Sequence, residues 1–147
     1  GEQAVEAGRR VTASGMKLSM MIILGLAGAE GSERHALATA KAINIIKPTH
    51  LSALCLMLYR GSELLDQYEA GKFNPLSPAG LMRELKLIME NVDLPADRHC
   101  LFRSNHVSNY VQLAATLPHD KQRLLRDIDY SIAQLSKLKS WDVYNYN

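Results

Sequence analysis

The stretch Leu18-Ser19-Met20-Met21-Ile22-Ile23-Leu24-Gly25-Leu26-Ala27-Gly28-Ala29-Glu30-Gly31-Ser32 decides how the rest of the chain is read. It opens with a short apolar run closed by Gly25. A run that is apolar at consecutive rather than alternate positions reads as a parallel strand buried on both faces. A glycine-rich loop follows, Gly25 to Gly31. Ser32 then offers a capping hydroxyl for the next helix, and Glu33 suits that helix's positive N-terminal end. Ala36, Ala40, Ile43 and Lys47 share one face of the helix, and Pro48 stops it. The apolar run His50 to Leu58 supplies a second strand. Strand, helix and strand in this order form a βαβ unit, which implies a parallel sheet with a right-handed crossover.

Upstream, Ala4, Val5 and Val11 mark a modest helix that starts almost at Gly1 and ends at Gly15. Downstream, Tyr59-Arg60-Gly61 is a turn, and Ser62 to Ala70 is a short helix ended by Gly71. Ser77-Pro78 starts another helix, with a capping hydroxyl before a proline at the first helical position. Leu81, Leu85, Ile88 and Val92 recur along it at helical spacing. Cys100-Leu101-Phe102 is a short third strand. Arg103 to Thr116 is polar and irregular, and Pro118 opens a last helix whose buried stripe is Leu124, Leu125, Ile128, Ile132 and Leu135. The tail, 140–147, carries Trp141, Tyr144 and Tyr146 without a period.

At 147 residues, with 47% hydrophobic and 22% charged residues, the chain is sized for one folded domain. Net charge is +2 with the two signs interleaved, so no basic stripe for nucleic acid is visible. The longest apolar run is too short and too glycine-broken for a membrane span. No signal peptide is recognisable, and the expected location is cytoplasmic. The absence of an initiator Met suggests a fragment or a processed chain. Cys55 and Cys100 belong to no CxxC pair, and Cys55, inside an apolar run, reads as a small buried hydrophobe. Met16, Met20, Met21, Met57, Met82 and Met89 read as core filler. With no HxxxH or HxxE pairing, no metal site is expected from this chain alone.

In a parallel sheet, ligands bind beyond the carboxyl ends of the strands. That rule selects Gly25–Ser32, Leu58–Ser62 and Arg103–Tyr110, all on one rim. Each admits a plain alternative. The glycine loop could hold an anion on the following helix's free amides, but it reads equally as a simple strand-to-helix turn. Arg60 could clamp a carboxylate or phosphate, or sit in a surface turn. Arg103, Asn105, His106, Asn109 and Tyr110 could position a polar substrate, with His106 able to move protons near neutral pH, or could hydrogen-bond the loop's own backbone.

Across roughly Ala4 to Leu135 the chain resembles the second half of the partial (β/α) barrel of the radical S-adenosylmethionine (radical SAM) superfamily. Within it, the chain resembles a bacterial branch of radical SAM proteins or iron–sulfur oxidoreductases. The resemblance rests on Ile22-Ile23-Leu24-Gly25-Leu26-Ala27-Gly28 with Glu30, on Leu51-Ser52-Ala53-Leu54 with Gly61-Ser62, and above all on Phe102-Arg103-Ser104-Asn105-His106 with Ser108-Asn109-Tyr110 and Thr116-Leu117-Pro118. It implies an α/β fold of parallel strands, with residues 1–139 forming the C-terminal half of the barrel. In the family's GxIxGxxE-like pattern, Ile23 takes the place of the residue that packs on adenine and Gly25 that of the next glycine. Met21 and Gly28 replace the first glycine and the acid. Leu56, Met57 and Leu58 match the strand that meets adenine through its backbone, and Arg60-Gly61-Ser62 stands where a PGT-like turn is usual. The resemblance further implies S-adenosylmethionine and a 4Fe–4S cluster as cofactors of the whole enzyme. It implies reductive cleavage of the former, and hydrogen abstraction from a small-molecule or other substrate by the resulting 5′-deoxyadenosyl radical. The CxxxCxxC motif that ligates the cluster is absent from this chain, so the chain alone is expected to be inactive.

Two other readings remain at this level. One is a non-catalytic α/β binding or interaction module; the other is a small nucleotide-binding domain using Gly25–Ser32 for phosphate. A partial barrel exposes strand edges and an inner face, so the isolated chain is expected to dimerise or aggregate. Under the radical SAM reading, Gly25→Val is expected to disrupt adenine packing in the intact enzyme.

Overall fold

The computed structural model describes residues 1–137. Along them run α1 (Glu2–Ala13), β1 (Ser19–Leu24), α2 (Gly28–Ile46), β2 (His50–Cys55), α3 (Glu63–Glu69), α4 (Pro78–Asn91), β3 (Cys100–Ser104), β4 (Leu113–Leu117) and α5 (Lys121–Leu135). The strands form one open sheet in the order β1-β2-β3-β4. β1, β2 and β3 are parallel, and β4 returns antiparallel to β3. The chain is therefore mixed α/β with a mostly parallel sheet. The tail with Trp141, Tyr144 and Tyr146 lies outside the described residues, as do positions 138–139.

Local chemistry sets the helix ends much as the sequence indicates. Ser62 caps α3 by accepting from the Leu65 N–H, and Ser77 caps α4 by accepting from the Gly80 N–H, with Pro78 in the first turn. Lys47 takes the left-handed conformation, φ 53°, that closes α2 before Pro48. Within α4, Leu81, Leu85, Ile88 and Met89 are fully buried and form the middle of the core. The helix packs against α2 on one side and α5 on the other. Emptying one such leucine position costs about 2–5 kcal/mol, so this helix anchors the layer.

Helices cover one face of the sheet. Ile22 and Leu24, Leu51 and Ala53, Phe102, and Ala115 turn inward to that core. The reading of β1 as buried on both faces is corrected: Met21 is 72% and Ile23 41% exposed on the opposite face. The run is apolar throughout, but only alternate residues meet the helices. Met21 is exposed for that reason, and Met16 is exposed in the loop before β1, while Met82 and Met89 do fill the core.

Three further expectations are revised. Arg103 to Thr116 is not irregular throughout: β3 extends to Ser104, and Leu113–Leu117 pairs back on it. The sequence Leu-Ala-Ala-Thr-Leu is short and alanine-rich, so its strand propensity is weak and pairing with β3 decides. Pro118 does not open α5. It follows a cis peptide bond, and the helix starts at Lys121 after Asp120, whose carboxylate accepts from the Thr116 N–H at 2.8 Å. Ser32 is not a cap, since α2 already begins at Gly28. Among the described residues no helix is long and apolar enough to cross a membrane.

Candidate functional site at the carboxyl ends of the strands

Because β1, β2 and β3 are parallel, their carboxyl ends share one edge of the sheet, as the loop reading requires. Ile23 lies level with Leu54, and the Leu56 N–H donates to the Leu24 carbonyl at 2.9 Å as the second strand leaves the sheet. Ile23, Gly25 and Leu56 thus meet at one place. β2 stops at Cys55, so Leu56, Met57 and Leu58 lie just beyond the strand. Met57 is half-buried and its Sδ accepts from the Tyr59 hydroxyl at 3.3 Å, whereas Leu58 is buried. Arg60 is exposed in the following turn.

Gly28 is not at this meeting point. A side chain there would face Phe73 and lie 3.0 Å from the Asn74 carbonyl. That carbonyl accepts from the Ala29 N–H at 2.7 Å, and the Gly28 N–H donates to Gly25 O at 3.1 Å. The Gly28 and Ala29 amides are therefore engaged within the protein and are not free to hold a phosphate. Gly25 also has an internal reason to be glycine. Its φ is +81°, and a Cβ would lie 2.7 Å from Leu81 Cδ2. Gly25→Val would collide with α4, so that change perturbs the fold and does not isolate adenine packing.

A residue that sequence reasoning missed organises this loop. The Glu84 side chain is fully shielded from solvent. Its Oε1 accepts from the Gly25 N–H at 2.9 Å and lies 3.0 Å from His35 Nδ1; its Oε2 accepts from the Ser32 hydroxyl. Burial alone would raise the carboxyl pKa. The bonds from His35, Ser32 and the Gly25 N–H outweigh it, leaving Glu84 below the usual glutamate value. The arrangement ties the β1–α2 loop to α4 and orients the half-buried His35 imidazole. The available signal was positional: Glu84 lies three residues after Leu81 and four before Ile88, on the buried stripe of α4. Ser32, read as a cap, finds its role here, together with His35.

In the third segment, side chains complete backbone. Asn109 Oδ1 and Ser108 Oγ both accept from the Cys55 N–H, at 2.8 and 3.2 Å. Asn109 Nδ2 donates to Ala53 O at 2.8 Å and Ser104 Oγ at 2.9 Å. The β2–β3 pairing runs from His50–Leu101 to Ser52–Arg103 and stops there, so Asn109 bridges the strands where their ladder has ended. His106 Nδ1 accepts from the Ser108 N–H at 3.1 Å and lies 2.8 Å from Ser108 Oγ, leaving the ring exposed. Tyr110 packs half-buried against the core, and Asn105 is exposed. Arg103 points away from the helices; its Nη1 donates to the Phe102 carbonyl at 2.7 Å.

Cys55 and Cys100 are both buried free thiols. Burial pushes each up to about 11, so neither is a ready thiolate at neutral pH. No protein-family model matches the chain, and no curated protein is significantly similar to it.

Proposed function

We propose that this chain is the C-terminal part of a radical SAM (β/α) barrel and contributes the adenine-side half of its S-adenosylmethionine site. The observation that carries the reading is the apolar shelf of Ile23 and Leu54, beside the departing backbone of Leu56 and Met57, on the uncovered face of the sheet. Parallel strands with helices on one face only have the layering of a barrel wall, with the uncovered face as its interior.

The residues fit the adenine part of the cofactor. Ile23 offers a flat apolar contact, and backbone groups past Cys55 can read the ring's polar edge. Glu84 holds the neighbouring loop rigid through Gly25. The residues do not fit the iron–sulfur cluster: the two cysteines are buried, protonated, and on different strands. Bound S-adenosylmethionine would supply the hydrogen-abstraction chemistry, and this chain's part is to bind and orient it and to shape the substrate rim.

The test is amide-resolved NMR of the chain titrated with S-adenosylhomocysteine. Shifts are expected at Ile23, Gly25 and Leu56–Leu58, and Ile23→Asp should abolish them. Saturating ligand without shifts at these amides would sink the proposal and favour a non-catalytic interaction module.

A further inference from the structure

The uncovered face of the sheet has an unusual composition. An antiparallel or edge surface facing water normally carries alternating polar and charged side chains. Here Met21, Ile23, Leu54 and Leu101 point outward with the small residues Ser52 and Ala114, and Met21 and Ile23 are well exposed. Arg103 is the one permanently charged side chain among the described strand positions of this face. It sits on β3, a central strand, one residue before its carboxyl end.

Register places Arg103 level with Ser52, and Ser52 level with Met21. With adjacent strands about 4.8 Å apart, the Arg103 and Met21 backbones are separated by roughly 10 Å. The guanidinium is held along one edge through Nη1 and the Phe102 carbonyl, and no carboxylate pairs with it among the described residues. Its contacts are to main chain: besides Phe102 O, Nη1 lies 3.5 Å from the Ala115 carbonyl. A mostly apolar wall with one anchored cation sets apolar contact beside a single polar anchor. A planar, fork-shaped donor suits a carboxylate or phosphate.

We propose that the open face binds a small organic anion, its carboxylate or phosphate on Arg103 and its apolar body along Ser52, Leu54 and Met21. This rests on the sheet face itself; it shares Leu54 with the proposed adenine shelf but is anchored at Arg103 and Met21, outside that shelf. The probes are anilinonaphthalene sulfonate, an apolar anion, and phenylnaphthylamine, its neutral counterpart, added to the full chain under amide-resolved NMR. The sulfonate is expected to shift Met21, Ser52, Arg103 and Ala114. Arg103→Gln should weaken it about tenfold, the loss of one charge-assisted contact, while leaving the neutral probe unaffected. Arg103→Lys, which keeps charge without the fork, should fall between. Equal sulfonate affinity in wild type and Arg103→Gln, or shifts confined to the helix layer, would overturn the proposal. Titration with S-adenosylhomocysteine reports separately through Gly25 and Leu56–Leu58, so either idea can fail alone.

Discussion

Replacing Glu84 tests the central structural argument. Glu84→Gln keeps the side chain's shape and leaves an acceptor for the Gly25 N–H, but it turns charge-assisted bonds into neutral ones. Three bonds each weakened by a fraction of their strength, offset by relief of a buried charge, give a loss of about 1–3 kcal/mol. Glu84→Ala goes further. It strands the buried Gly25 N–H and removes the Cγ methylene with the carboxylate, for a loss of about 3–5 kcal/mol. Urea unfolding followed by far-ultraviolet circular dichroism measures both, with an unchanged slope certifying that stability alone has moved. Amide exchange at Gly25 should accelerate in step. The pH dependence has a definite sign. The folded-state carboxyl lies below its ordinary value of 4.5, so its stabilisation is complete above that pH and is lost as pH falls further. The gap between wild type and Glu84→Gln should therefore narrow below about pH 4.5. A Glu84→Gln protein within about 0.5 kcal/mol of wild type at pH 7, with Gly25 exchange unaltered, would refute the clamp.

Two other outcomes follow from the same geometry. Asn109→Ala leaves the Cys55 N–H and the Ala53 carbonyl short of their partner and should cost about 2 kcal/mol in urea unfolding; no measurable loss would mean that Ser108 or water replaces it. The β1 edge and the exposed Met21 and Ile23 should drive self-association, and Met21→Lys should reduce it in light scattering; a wild-type chain that stays monomeric at high concentration contradicts that expectation.

The rim illustrates the limits of reading residues by type. Cys55 was legible as a buried thiol because its neighbours are apolar, and Ser77-Pro78 as a helix start because capping is local. Asn109, by contrast, belongs to a polar string in which any member could serve a substrate. Only its position past the last β2–β3 pair shows that its amide completes the strands. Arg103 lay in the same string, yet strand alternation sends it to the open face, away from the core-facing Phe102 and Ser104.

The sequence by itself determined the order of elements as far as β3, the C-terminal end of α2, the ends of α3, the start of α4, and the gathering of three loops on one rim. These depend on short-range causes: caps, proline and glycine punctuation, and the obligatory geometry of parallel crossovers. Tertiary structure decided the rest. The weakly strand-forming β4 exists because β3 offers it an edge. β1 is covered on one side because all the packed helices lie there. Glu84 keeps its charge because Gly25, Ser32 and His35, some fifty residues away in sequence, converge on it. Burial and long-range hydrogen bonding are properties of the assembled layers, and no local pattern of residue types records them.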